Sequence, residues 1–158
     1  MKMYKKEFML EAIEMSKKCL STGKGGPFGA VIVKNGEIIG RGSNQVTLNN
    51  DPTAHAEVVA IRDACKNLND FQLTDCEIYT SCEPCPMCLG AIYWARPAKL
   101  YYAANKDDAS DAGFDDSFIY EEIDLPYDKR KIKMEQYEQE EAVKVFDSWK
   151  KLSNKVDY

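Results

Sequence analysis

Two short stretches carry residue types that do chemistry in concert: Thr53-Ala54-His55-Ala56-Glu57 and, some thirty residues later, Thr80-Ser81-Cys82-Glu83-Pro84-Cys85-Pro86-Met87-Cys88. One imidazole, a pair of thiolates and a carboxylate are the components of a zinc ion holding a reactive water with a proton shuttle beside it. Zinc held by a neutral imidazole and two thiolates carries about zero net charge, keeps a fourth tetrahedral position open and lowers the pKa of a bound water to about 7. Glu57 would take a proton from that water and return it to a leaving group, work that suits a carboxyl group in a partly dry pocket. Taken singly these residues say little. A lone histidine is more often a satisfied core or surface residue, a Glu in a first helical turn is favoured by the helix dipole anyway, and a C-x-x-C serves redox, structural zinc and catalysis alike. Their joint spacing is what selects the site, and His55 is the chain's one histidine, so a mixed site must use it. Cys82-x-x-Cys85-x-x-Cys88 on its own allows either adjacent pair or a three-thiolate site.

These groups need elements that aim them at one point. Residues two apart on a regular helix do not face each other, so His55 and Glu57 share a site only if His55 lies at the irregular start of a helix. Asp51-Pro52-Thr53 reads as that start, and Val58, Val59, Ile61, Ala64 and Leu68 continue a helical stripe. Glu77 to Thr80 reads as a short strand running into the cysteines, and Met87, Leu89, Ala91, Ile92 and Trp94 as a helix that must end by Arg96-Pro97. Cys85 and Cys88 then sit at a helix N-terminus, where the dipole favours thiolates. Upstream, Tyr4 to Leu20 has the apolar spacing of one amphipathic helix, stopped by the Gly and Pro residues of 23–27. Gly29 to Val33 and Ile38 to Arg41 flank Asn35-Gly36, the signal of a type I′ hairpin. The first strand is apolar throughout and so central, while Gly40 and Gly42 suggest a bulge or a close backbone approach in the second. Asn44, Gln45, Asn49 and Asn50 crowd a polar loop. Leu100 to Ala103 and the alternating residues 131–135 read as further strands, and 140–152 as a helix with Ala142, Val143, Phe146 and Trp149 on one face. Helix, hairpin, then alternating strands and helices imply an α/β fold with helices on both faces of a sheet, the five strands making a three-layer α/β/α sandwich with a mixed sheet.

The length of 158 residues suits one domain spanning 1–158, and 44% hydrophobic with 30% charged residues is ordinary globular composition. The net charge of -5 is concentrated: residues 107–128 hold nine Asp or Glu and no Lys or Arg, which leaves the rest of the chain net positive. That distribution argues against nucleic acid as a partner, since such surfaces gather Lys and Arg. Most of these acids read as a solvated loop. No apolar run is long enough to span a bilayer, and the start of the chain runs into an amphipathic pattern rather than an export signal, so no membrane partner and a cytoplasmic location are expected. The six cysteines then read as reduced thiols and metal ligands, with Cys19 and Cys65 as small core residues.

The pattern H-x-E followed by P-C-x-x-C is an established signature of zinc deaminases, and it places Pro directly before the first cysteine ligand, a position Pro84 fills for Cys85. On these residues the chain resembles the cytidine deaminase-like superfamily. Further stretches, Gly26-Pro27-Phe28-Gly29-Ala30-Val31-Ile32-Val33, Ala91-Ile92-Tyr93-Trp94-Ala95-Arg96-Pro97 and Ala112-Gly113-Phe114-Asp115-Asp116, resemble the bacterial guanine deaminases within it. The likeness covers most of residues 23–121 and the closing 154–158, and is weaker in the first helix and in 122–150. It implies hydrolytic deamination of a small purine base, guanine to xanthine and ammonia, with one Zn²⁺ per chain. By the same resemblance His55, Cys85 and Cys88 bind the zinc and Glu57 shuttles protons. Asn44, Asp116 and the terminal Tyr158 contact the base, with Phe28 and Trp94 lining the pocket. The residue types suit those roles: an amide offers donor and acceptor, a carboxylate accepts from ring N–H groups, and aromatic faces stack on a flat ring. The bland alternatives are a turn residue for Asn44, a solvated acid for Asp116 and core residues for Phe28 and Trp94.

Two rivals share the metal site, the tRNA adenosine deaminases and the cytosine or nucleoside deaminases; a third reading, from another class, is a non-catalytic zinc module used for interaction. Glu57 separates that last one, because a structural site has no use for a carboxylate beside an open coordination position. The polar run 107–126 reads as a hinge, so that 107–158 forms a C-terminal segment exchanged between the protomers of a homodimer, with Tyr158 completing the partner's pocket.

Overall fold

The computed structural model describes residues 3–158. These fall into two units, one running to Asp116 and one from Ser117 to Tyr158.

The first unit is built on a sheet of four strands in the order β2-β1-β3-β4. The apolar run becomes β1 (Gly29–Lys34), and Asn35 and Gly36, at φ 53° and 83°, turn it into β2 (Glu37–Ser43) as an antiparallel hairpin. β3 (Cys76–Cys82) lies antiparallel on the other side of β1, which is therefore interior as its composition requires. β4 (Lys99–Ala104) is parallel to β3 and reached through a helical crossover. Alternate residues of β1 feed two cores. Val31 and Val33 pack with Tyr79 against Phe8, Met9, Ala12 and Met15 of α1 (Lys6–Ser16). Ala30, Ile32 and Ile78 pack on the opposite face against Ala56, Ala60 and Ala64 of α4 (Ala56–Leu68) and Ile92 and Ala95 of α5 (Pro86–Ala95). The three-layer α/β/α arrangement is thus present.

Both predicted consequences of the β2 glycines occur. The pairing slips from Ile32–Gly40 to Val33–Ile38, which leaves Ile39 as the extra residue of a bulge. A Cβ on Gly40 would lie 2.6 Å from the Ala60 carbonyl oxygen, and one on Gly42 2.1 Å from that of Ala56. The all-alanine face of α4 therefore rests directly on the strand backbone.

Several expectations need correction. The sheet has four strands, not five: residues 131–135 alternate in character but form no ladder, because their unit contains no other strand among the described residues to pair with. The first helix is broken at Lys17 into α1 and α2 (Lys18–Thr22), where the Ser16 hydroxyl bonds back to the Ile13 carbonyl at 2.7 Å, a contact that bends helices. Cys19 is half-buried in α2 rather than a core residue, whereas Cys65 packs on the α4 side of the core. Asp51-Pro52-Thr53 precedes the helix: the Asp51 carboxylate accepts from the Thr53 amide and hydroxyl, at 2.8 and 2.7 Å, and helical geometry begins only at Ala56. The polar loop 44–50 contains one helical turn, α3 (Val46–Asn49). Much of the acidic run is helical, as α6 (Lys106–Asp111) and α7 (Ser117–Asp124). Asn105 and Asp108 form a reciprocal capping box at the start of α6, where Asp107 and Asp108 also suit the dipole.

The second unit holds α7, a short 3₁₀ turn (Tyr127–Lys129) and α8 (Gln139–Lys150). Its apolar stripe is exposed, Phe146 at 63% and Trp149 at 43%. Among the described residues no helix is long and apolar enough to cross a membrane.

Candidate active site

The functional side chains gather where two helices begin. His55 is the N-cap of α4 with extended backbone, φ -67° and ψ 156°, which is the irregular start that the H-x-E spacing demands. Glu57 follows in the first turn of α4 and is 6% exposed. Cys85 is the N-cap of α5, with Pro86 opening the helix where its missing N–H costs nothing, and Cys88 is fully buried one turn in. Neither helix start is capped by a side-chain hydrogen bond, so the positive dipole ends of both are left to the thiolates and the carboxylate.

The geometry fits zinc. The ligand atoms of His55, Cys85 and Cys88 lie within 4.8 Å of one another, and each sulfur is 3.5 Å from His55 Nδ1. Tetrahedral bonds of about 2.05 Å to nitrogen and 2.3 Å to sulfur put those atoms about 3.5 Å apart. Glu57 Oε2 stands 3.4 Å from Cys88 Sγ, beside the ligand set and outside it. Cys82 is no part of the cluster whose ligand atoms converge, and its thiol points instead at the Asn105 carbonyl at 3.6 Å; burial, then the Glu57 charge, push its pKa up to about 11. That removes the three-thiolate alternative.

The electrostatics match. A hydrogen bond from the Cys88 thiol, and a further one from His55, lower the Cys85 pKa to about 4 against the opposing effect of burial. Cys88 is displaced above the ordinary thiol range by donating to Cys85, by burial and by the Glu57 charge. His55 is raised by its bond to Cys85. Burial lifts Glu57 above the usual carboxylate range.

Of the five residues expected at the base, Asn44 and Phe28 are joined to each other, the Asn44 amide donating to the Phe28 carbonyl at 3.1 Å. Asn44 Oδ1 accepts from the Val46 amide at 3.2 Å, which fixes the side-chain amide. The Phe28 ring packs on the core and meets Phe114 edge-on at a centroid distance of 4.9 Å. Asp116 closes the first unit, its carboxyl raised by burial and then by the Cys85 charge. Trp94 is 64% exposed on α5, which rules out its core alternative. Tyr158, 69% exposed, ends the second unit. Phe114 was assigned no role from the sequence; only its place in the motif before Asp116 pointed to it. A largely apolar cavity of about 300 Å³ is lined by Phe28, Ser81, Cys82, Ala104, Asp108 and Phe114 among others.

A guanine deaminase from Bacillus subtilis (strain 168) is 57% identical over 96% of this chain and 97% of its own. A solved X-ray structure of guanine deaminase from Bacillus subtilis superposes with a TM-score of 0.94 at 56% identity, covering 99% of both chains. A tRNA-specific adenosine deaminase from Aquifex aeolicus (strain VF5) is 37% identical over 98% of this chain and 99% of its own. Residues 3–104, which hold the His55–Glu57 helix and the cysteine helix, match the cytidine and deoxycytidylate deaminase zinc-binding region, and the chain belongs to that family of zinc-dependent deaminases.

Proposed function

We propose that the protein hydrolyses guanine to xanthine and ammonia. The observation that carries a deaminase over a structural zinc site is Glu57: a carboxylate 6% exposed, lifted by burial and placed 3.4 Å from a ligand sulfur without joining the cluster. His55, Cys85 and Cys88 hold the metal, which when bound supplies a water that ionises near neutral pH. Glu57 takes a proton from the water whose oxygen bonds to the amino-bearing purine carbon, and passes it to the amino nitrogen as the C–N bond breaks. A raised pKa suits both directions of that transfer. Asn44 and Asp116 read the base edge, and Phe28 and Trp94 offer flat faces to the ring. The guanine deaminase from Bacillus subtilis supports the choice of base through its 57% identity along nearly the whole chain, against 37% for the Aquifex aeolicus tRNA enzyme. Five acids of the first unit's 107–116 run, rather than Lys or Arg, also favour a small neutral base over an anticodon loop.

We assign the protein to the cytoplasm and to a homodimer that exchanges its C-terminal segment, the second in keeping with the exposed apolar stripe of α8. The test is ammonia release from zinc-loaded protein given guanine, guanosine, adenine, cytosine and cytidine. Guanine is expected to be turned over, and Glu57→Ala to lose about 10²–10⁴-fold in kcat with zinc retained. One zinc per chain with no ammonia from any of the five would return the site to the non-catalytic reading.

A further inference from the structure

Cys82 and Glu83 sit in the motif that carries two metal ligands, yet neither binds the metal. Both bond to residues 104–106 instead. The β3 and β4 ladder ends at the Cys82–Ala104 pair, and three bonds continue it past the sheet onto three consecutive residues. The Glu83 amide donates to the Ala104 carbonyl at 2.8 Å, the Cys82 thiol to the Asn105 carbonyl at 3.6 Å, and the Lys106 amide donates to Glu83 Oε2 at 3.1 Å. Asn105 is the N-cap of α6, so Glu83 accepts from the first helical amide while the Asn105 side chain accepts from the next two. Helix amides at this position have no partner within the helix, and a carboxylate satisfies one with the dipole in its favour. The far end of the same segment is held separately, where Phe114 meets the Phe28 ring. Two residues later the segment reaches Asp116, whose carboxyl is raised by burial and then by the charge on Cys85.

We infer that Glu83 is a positioning residue: with Cys82 it clasps the start of α6 to the metal-ligand loop and thereby fixes where the 105–116 segment presents Asp116 to the substrate. Cys85 follows Glu83 by two residues, so one short stretch sets a metal ligand on one side and the substrate-reading segment on the other. The inference rests on the proposed role of Asp116 for its kinetic consequence, and on the three hydrogen bonds alone for its structural one.

The test uses full-length, zinc-loaded Glu83→Ala and Glu83→Gln, the second keeping a side-chain oxygen that can accept from Lys106 without the charge. Glu83→Ala is expected to raise KM for guanine about tenfold with kcat within threefold, as loss of binding geometry does, and to bind one zinc per chain. Glu83→Gln is expected within twofold of the parent. Hydrogen–deuterium exchange supplies a readout that needs no substrate: amides of 105–112 should exchange faster in Glu83→Ala and not in Glu83→Gln. Unchanged exchange in Glu83→Ala overturns the clasp, as does an equal defect in both variants or loss of zinc in Glu83→Ala. Faster exchange with no turnover of guanine even by the parent would uphold the clasp and reject the guanine reading instead.

Discussion

At the residue scale the site is a matter of where protons sit. Without metal, Cys85 is a thiolate with a pKa of about 4, Cys88 keeps its proton and His55 is raised above its ordinary value. Zinc requires both thiolates and a neutral imidazole, so binding must expel the Cys88 proton and whatever fraction resides on His55. Zinc affinity should therefore strengthen as pH rises. About one proton should leave per zinc above the His55 pKa, and closer to two below it. Calorimetry in buffers of different ionisation enthalpy counts them, and release of none would mean that the pair is already fully ionised. The four residues of the cluster were legible in the sequence because their types and spacing jointly admit little else. Phe114 was not, since its contact with Phe28 spans most of the first unit and no local pattern marks it.

At the scale of elements, the metal ligands are only as well placed as the helices that begin with them. α4 comes close to the β2 backbone at its glycines, a Cβ at Gly42 falling 2.1 Å from the carbonyl of Ala56, the residue after His55. Gly42→Ala should cost about 1–3 kcal/mol and weaken zinc binding by shifting His55. Gly90→Ala, in α5 with open space around it, should be neutral or stabilise by roughly 0.5–1 kcal/mol. Thermal unfolding of both variants with and without zinc checks the contrast, and equal effects would refute it. The hairpin, β3, α5 and β4 were readable because turn chemistry and apolar periodicity agree there. The start of α4 was misjudged because Asp51 can either cap a helix or close a local turn, and only the backbone beyond it decides. α6 was missed because a dense run of acids was weighed as charge, although Asn105-Lys106-Asp107-Asp108 carries the capping-box spacing.

For the whole molecule, the question is what covers α8. Its spacing predicts one apolar face, which the helix has and leaves exposed, because periodicity reports that a face wants burial and is silent on what buries it. If a second copy does so and supplies Tyr158, a chain ending at Leu152 should keep its zinc and lose most of its activity. Size-exclusion chromatography beside the ammonia assay reads both, and full activity from a dilute, monomeric truncation would exclude the exchange. In 158 residues there is a single imidazole, and it lies in the cluster proposed to hold the metal. Its ring protons therefore give one imidazole signal that reports on the proposed metal site alone, with no second histidine to separate from it.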